Sequence, residues 1–315
     1  MYFAEVVSGS DMYPFFNVVS YLLVLPLYTL HTLVLWYIVF NYGRGEMYVL
    51  FPAGAIFGLY EAYITKVLWN PTWSEAEFKI VGVAVIEAMV LVLFWHAFLA
   101  FILPLFLAET YILTSSREIL EGLPEWLRAW IMRVKNGRLV YLFPFIAGFF
   151  QASGSSSVEC SLGSGILNSA VLIILVASWR RIGENRYTMR ELLPGRRAFI
   201  VLGVLLVLDY IILGFLLRPE EISDLASQAS IWVLYVFFGY LLFRGLEKSR
   251  SHVSGQVEWE GYPSFRYMVS LSLLFTLGSV IGFSTGLFFV AAFLGWILGI
   301  LFGLKMLVWT VREVL

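Results

Sequence analysis

One cysteine, Cys160, stands alone in 315 residues, which excludes an intrachain disulfide and any metal centre built from cysteines. Histidine is nearly as scarce, at three. Charged residues make up 14% of the chain, where a soluble domain carries about a quarter. A net charge of −1 leaves no basic excess to attract a nucleic acid, and no such partner is predicted. The phosphate-binding pattern G-x-x-x-x-G-K-[ST] is missing. The stretch Met1 to Pro14 has no Lys or Arg, so it lacks the basic start of a secretory signal peptide; the first span is expected to be retained.

What fills the chain instead is apolar, with 60% of residues hydrophobic. A soluble chain with this excess would expose large apolar patches, which soluble monomers rarely do. Runs of about 20 apolar residues recur from end to end, long enough to cross a bilayer. They are continuous rather than alternating, which selects helices over a closed barrel. The prediction is an all-α polytopic integral membrane protein of the cell membrane, with about nine transmembrane helices in a single membrane domain.

The spans read as 15–40, 47–69, 80–103, 139–157, 159–179, 198–217, 229–243, 267–283 and 286–309. Taken as one helix, 139–179 would be about 60 Å long, twice a hydrocarbon core. Its middle, Ser153 to Gly165, is dense in Ser and Gly, so a hairpin is predicted there. The same argument divides 267–309 around Gly282 to Gly286. With the N-terminus outside and the C-terminus cytoplasmic, all of the 21 Lys and Arg fall on the inner side except Lys66, Lys79 and Arg218. That partition includes Arg186 in an inner loop, and it matches the inward bias of basic residues in membrane proteins.

Two features follow from spacing. Between the third and fourth spans, residues 124–135 place Trp126, Leu127, Trp130, Ile131 and Val134 on one face, with Arg128 and Lys135 opposite. This predicts an amphipathic helix lying in the interface. In the last two spans Gly278, Gly282, Gly286, Gly295, Gly299 and Gly303 mostly recur every four residues, a spacing that lets helix backbones approach closely. Packing within the bundle is the first use of such a stripe; contact with a second copy or a partner subunit through 267–309 is the second.

Charged residues inside spans cost about 2.5–3.5 kcal/mol each and tend to serve function. Glu61 and Glu87 lie at similar depth on neighbouring antiparallel spans, and Asp209 reaches a similar level in span six. Carboxylates sharing one layer in a low dielectric cannot all ionise, so they hold protons or bind a cation. The alternative is separate pairing of each acid, with Lys66 or with a tyrosine such as Tyr60 or Tyr63. His31 and His96 also match in depth, on parallel spans one and three, as bis-histidine haem ligation would require. No cofactor is predicted on this basis.

At the outer end of span five, Glu159, Cys160, Ser161 and Gly163 precede Arg218 at the outer end of span six. A thiol beside a cation is how a reactive thiolate is made. The fragment partly resembles the active-site run of exosortases and archaeosortases, membrane transpeptidases with Glu and Cys followed by Ser or Thr and Gly. That resemblance implies an exofacial enzyme with Cys160 as nucleophile and Arg218 as its partner. The sequence departs from the family pattern at Leu162, where the family has glycine, and at Asp209, where it has asparagine. It also lacks an outward-facing histidine, His252 lying in an inner loop. The leading expectation is a small secondary transporter or permease for a small molecule or ion, with Glu61, Glu87 and Asp209 handling protons or cations. The alternatives are the exofacial enzyme and a subunit of a membrane complex.

Overall fold

The computed structural model describes residues 1–71, 76, 78–113, 117–135, 137–182, 187–250 and 264–315. Arg186 and His252 lie outside the described residues. The long helices, in chain order, are α1 Ser20–Tyr42, α2 Met47–Ile64, α3 Val85–Leu113, α4 Glu125–Lys135, α5 Arg138–Ala152, α6 Val158–Ile182, α7 Arg196–Leu216, α8 Leu225–Ser249, α9 Phe265–Thr285 and α10 Leu287–Val314. Eight of these are long and apolar enough to cross a membrane. The protein is an all-α, multi-pass membrane protein. α5, in the place read as the fourth span, is about 22 Å long, shorter than a typical crossing. The amphipathic segment forms α4.

The helix breaks fall where small and polar residues replace apolar ones. α5 gives way to α6 through Ser153 to Ser157, and α9 to α10 at Gly286, whose φ of 71° is a conformation that only glycine adopts without strain. α2 closes at Ile64, five residues before the end read from sequence. There Lys66 takes a φ of 61° and turns the chain out of the helix. A small antiparallel hairpin follows, β1 Lys79–Ile80 with β2 Val83–Ala84, turned at Val81 and Gly82 with positive φ at both.

The chain folds into two compact units. The first comprises Met1–Leu25, Leu105–Glu191 and Gly255–Ile297; the second comprises Pro26–Pro104, Leu192–Ser254 and Leu298–Leu315. In lipid there is little hydrophobic gain from joining two apolar helices, so close packing has to hold them. In the first unit α5 lies against α9, with Gly148 on one helix and Gly278 on the other allowing backbone contact. Gly282 faces Phe149 and Gly295 faces Phe150. In the second unit α2 is the core, buried along nearly its whole length between α3 and α8, with α7 alongside. Gly54 and Gly58 bring it onto the α3 backbone at Ala97 and Val92. Gly299 and Gly303 of α10 face Phe94 and Leu93 of α3. The glycine stripe of the last two spans is therefore largely engaged within the chain.

Candidate functional site

The close approach of α2 to α3 sets up the second unit's polar centre. From Leu91 to Ile102 α3 is wound as a π-helix, a rare form that is found mostly in short pieces at functional sites. His96 sits in this stretch, and its Nδ1 lies 3.1 Å from the carbonyl of Leu91, five residues back. A carbonyl oxygen only accepts, so Nδ1 carries a hydrogen and donates it. The other ring nitrogen, Nε2, contacts Oε2 of Glu61 on α2. Both groups are largely buried, with side chains 6% and 14% exposed.

Hydrogen bookkeeping fixes what this contact holds. With Nδ1 already protonated, a neutral His96 presents a bare acceptor at Nε2, and an ionised Glu61 presents another acceptor. Two acceptors repel. A proton must lie between them, either on the imidazole, giving an ion pair, or on the carboxyl, giving a neutral hydrogen bond. In both cases the pair carries one exchangeable proton and no net charge. Removing that proton leaves one negative charge and nothing to hold the two side chains together.

A second group adjoins it. His31 of α1 donates from Nδ1 to the carbonyl of Leu27 at 2.8 Å, which leaves Nε2 as an acceptor, buried and without a hydrogen-bond partner among the described residues. Its ring packs edge-on against Phe57, 4.9 Å between centroids, and against Tyr60, at 3.6 Å. Phe57 in turn lies 6.1 Å from the His96 ring. Tyr60 donates to the carbonyl of Leu206 on α7 at 2.8 Å, and Asp209, one turn further along α7, is its charged neighbour. Tyr210 stacks between Tyr60 and Tyr63, and Tyr63 donates to Gln228 of α8 at 2.7 Å. Glu61 thus contacts His96, and Asp209 Oδ2 has no hydrogen-bond partner among the described residues. Glu87 is buried in the first turn of α3, roughly two helical turns before His96.

The two histidines do not fit a haem. Nε2 of His96 is occupied by Glu61, and Phe57 and Tyr60 fill the space beside His31. Among the described residues no group of three or more His, Cys, Asp or Glu is placed to hold a metal ion.

Cys160 and Arg218 fall in different units, and each has partners within its own. In the first unit the Cys160 backbone N–H donates to Oγ of Ser157 at 3.1 Å, and its carbonyl accepts from the Tyr13 hydroxyl at 3.1 Å. In the second, Arg218 donates to the carbonyls of Thr65 and Asn70 at 3.0 and 2.8 Å and pairs with Glu221. Lys66 beside it is buried, with its ammonium on the carbonyls of Ile64, Gly214 and Leu217. These two cations cap the C-terminal ends of α2 and α7, where the helix dipole favours positive charge.

A sequence profile covering residues 1–315 matches a family described as an uncharacterized membrane protein family. The chain belongs to that family. It is 35% identical over 239 residues to an uncharacterized protein of Archaeoglobus fulgidus, an alignment covering 76% of this chain and 72% of the relative. No solved structure matches. The family places the protein in a membrane and leaves the chemistry to the site. Within this member the residue that sequence reasoning undervalued is His96, taken with His31 rather than with Glu61. Its signal was available only as a buried base somewhere opposite a buried acid.

Proposed function

We propose that this family member is a small proton-coupled secondary transporter or permease, with the Glu61–His96 pair as its proton site. The observation that supports this reading most strongly is the single proton required between two acceptors on two different helices. Holding the proton keeps α2 and α3 joined by a neutral contact. Releasing it leaves a buried negative charge that favours either a cation or a rearranged pair, which is the link a coupled carrier needs between protonation and conformation. His31 Nε2, buried near His96 across Phe57, supplies a next acceptor for the departing proton, with Asp209 beyond Tyr60 and the tyrosine hydroxyls continuing the path.

Proton movement itself tests the reading. The protein is reconstituted in liposomes loaded with pyranine and challenged with sodium, potassium and panels of organic anions, amino acids and neutral solutes. At least one solute is expected to change the internal pH. The Glu61→Gln and His96→Phe variants, each removing one side of the shared proton, are expected to reduce that response by about tenfold or more. Wild-type vesicles that move no protons with any solute, or an undiminished response in both variants, would overturn it.

A further inference from the structure

The first unit gathers unpaired positive charge at the end where α4 leads into α5. α4 is docked by Leu127 and Val134, which are buried and lie two turns apart on one face. Trp130 and Arg133, three residues apart and so neighbours on the helix surface, are exposed. The chain then turns tightly at Gly137, whose N–H donates to the Val134 carbonyl at 3.1 Å. Arg138, also exposed, opens α5 on the far side of that turn. Trp130 meets Phe143 edge to face, 5.3 Å between ring centroids, which folds α4 back against the start of α5. The start of α9 lies in the same layer, because the Tyr141 and Tyr267 rings are 5.9 Å apart, and it brings an exposed Arg266.

Several other basic side chains of this unit are engaged by the fold. Arg117 and Arg180 donate to the carbonyls of Glu109 and Tyr111, and Arg190 pairs with Glu118. The side chains of Arg133, Arg138 and Arg266 make no hydrogen bond or ion pair among the described residues. Like charges held in one layer repel, and an anion among them offsets that repulsion. Beneath them the surface is apolar. Leu139, Leu142, Phe143 and Ile146 follow i, i+3, i+4, i+7 spacing, so they form one stripe along α5, and all four are exposed. Trp130 stands at the end of the stripe nearest the arginines, and an indole favours the boundary between headgroups and chains. Guanidinium groups, then an indole, then an apolar stripe repeat the order of a phospholipid: phosphate, glycerol, acyl chain. Guanidinium is also the side-chain group whose paired N–H donors fit phosphate oxygens best.

We infer that Arg133, Arg138 and Arg266 hold the headgroup of an anionic phospholipid whose acyl chain lies along the α5 stripe. A zwitterionic lipid fits less well, because its headgroup returns a cation to a layer that already holds three. All of these residues belong to the first unit and the Glu61–His96 pair to the second, so lipid binding is measured without reference to transport.

Native mass spectrometry of the purified full-length chain in a neutral detergent counts bound lipids directly. Phosphatidylglycerol is expected to bind about tenfold or more tightly than phosphatidylcholine with the same chains. Arg133→Ala, Arg138→Ala and Arg266→Ala are each expected to weaken phosphatidylglycerol binding about fivefold and to leave phosphatidylcholine little changed. Arg196→Ala, which removes an exposed charge from the second unit, is expected to change neither. If one of the three variants fails to fold, the other two decide. Equal affinity for the two lipids, or the same loss in Arg196→Ala as in the three variants, overturns the site. Displacement of the lipid by glycerol phosphate at equal concentration would show that the chains add nothing, and would overturn the seat on α5.

Discussion

At the scale of single residues, buried polar groups had to be located by rotation about a helix as well as by depth. Counting from span ends put Glu61, Glu87 and Asp209 in one layer, but depth does not say which way a side chain faces. Tyr60 and Glu61 are sequence neighbours, about 100° apart on α2. One meets His31 and α7, the other His96 and α3, so adjacent residues serve different faces. The π-winding from Leu91 to Ile102 changes the faces again, and nothing in that uniformly apolar run announces it. Residues at helix ends were easier to read. Asp224 precedes α8, and its carboxylate accepts the Ser227 N–H at 2.7 Å, which with further Ser227 hydrogen bonding holds its pKa below the usual 3.8. A depressed folded-state pKa contributes stability that is present above the unfolded value and lost as pH falls through the folded one. Asp224→Ala should therefore melt at a lower temperature than wild type near neutral pH, with the gap closing below about pH 4. A pH series of melting curves checks this; a gap that is constant down to strongly acidic pH would mean that the cap acts through something other than its charge.

At the scale of helices, glycines sit at the closest helix–helix contacts, and their role was partly legible. The Ser- and Gly-rich breaks after Ala152 and at Gly286 were visible because no apolar helix prefers those residues. The four-residue glycine rhythm showed that close contacts existed without showing with what. The partners are α5 and α3, which sequence cannot supply because Phe145, Phe149 and Phe94 look like any other lipid-facing aromatics. The two kinds of glycine predict opposite outcomes. A methyl group at Gly278 would overlap the backbone carbonyl of Phe145. Gly278→Ala should therefore cost about 1–3 kcal/mol, the usual range for overpacking. Gly203 and Gly214 have no atom within 4 Å of where a methyl group would sit. Alanine there should be neutral or stabilise by up to about 1 kcal/mol through helix propensity. Denaturation of the three variants in one detergent checks the contrast; equal effects would show that the α5–α9 seam yields.

At the scale of the whole molecule, the distribution of basic residues and the helix packing bear on the same question from different directions. α5 is short, yet Tyr141 at its start lies 5.9 Å from Tyr267 near the start of α9, and Phe149 near its end meets Gly282 near the end of α9. It therefore runs parallel to α9 over most of a helix that is itself long enough to span. Counted as a crossing, α5 puts the bend at Ser156 on the side poor in Lys and Arg, and three further helices separate that bend from Glu247, among the basic residues at the end of α8. The opposite placement would move most of the 21 Lys and Arg to the outer face, against the charge bias of inserted loops. Ser156 is exposed and Glu247 is largely so, which makes both reachable by a reagent. In a Cys160→Ser background, a membrane-impermeant maleimide on intact cells is expected to label Ser156→Cys and to leave Glu247→Cys unlabelled until the cells are opened. The reverse pattern would invert the topology. Labelling of both from outside would mean that an odd number of crossings does not separate them, and α6, α7 or α8 would have to be re-entrant.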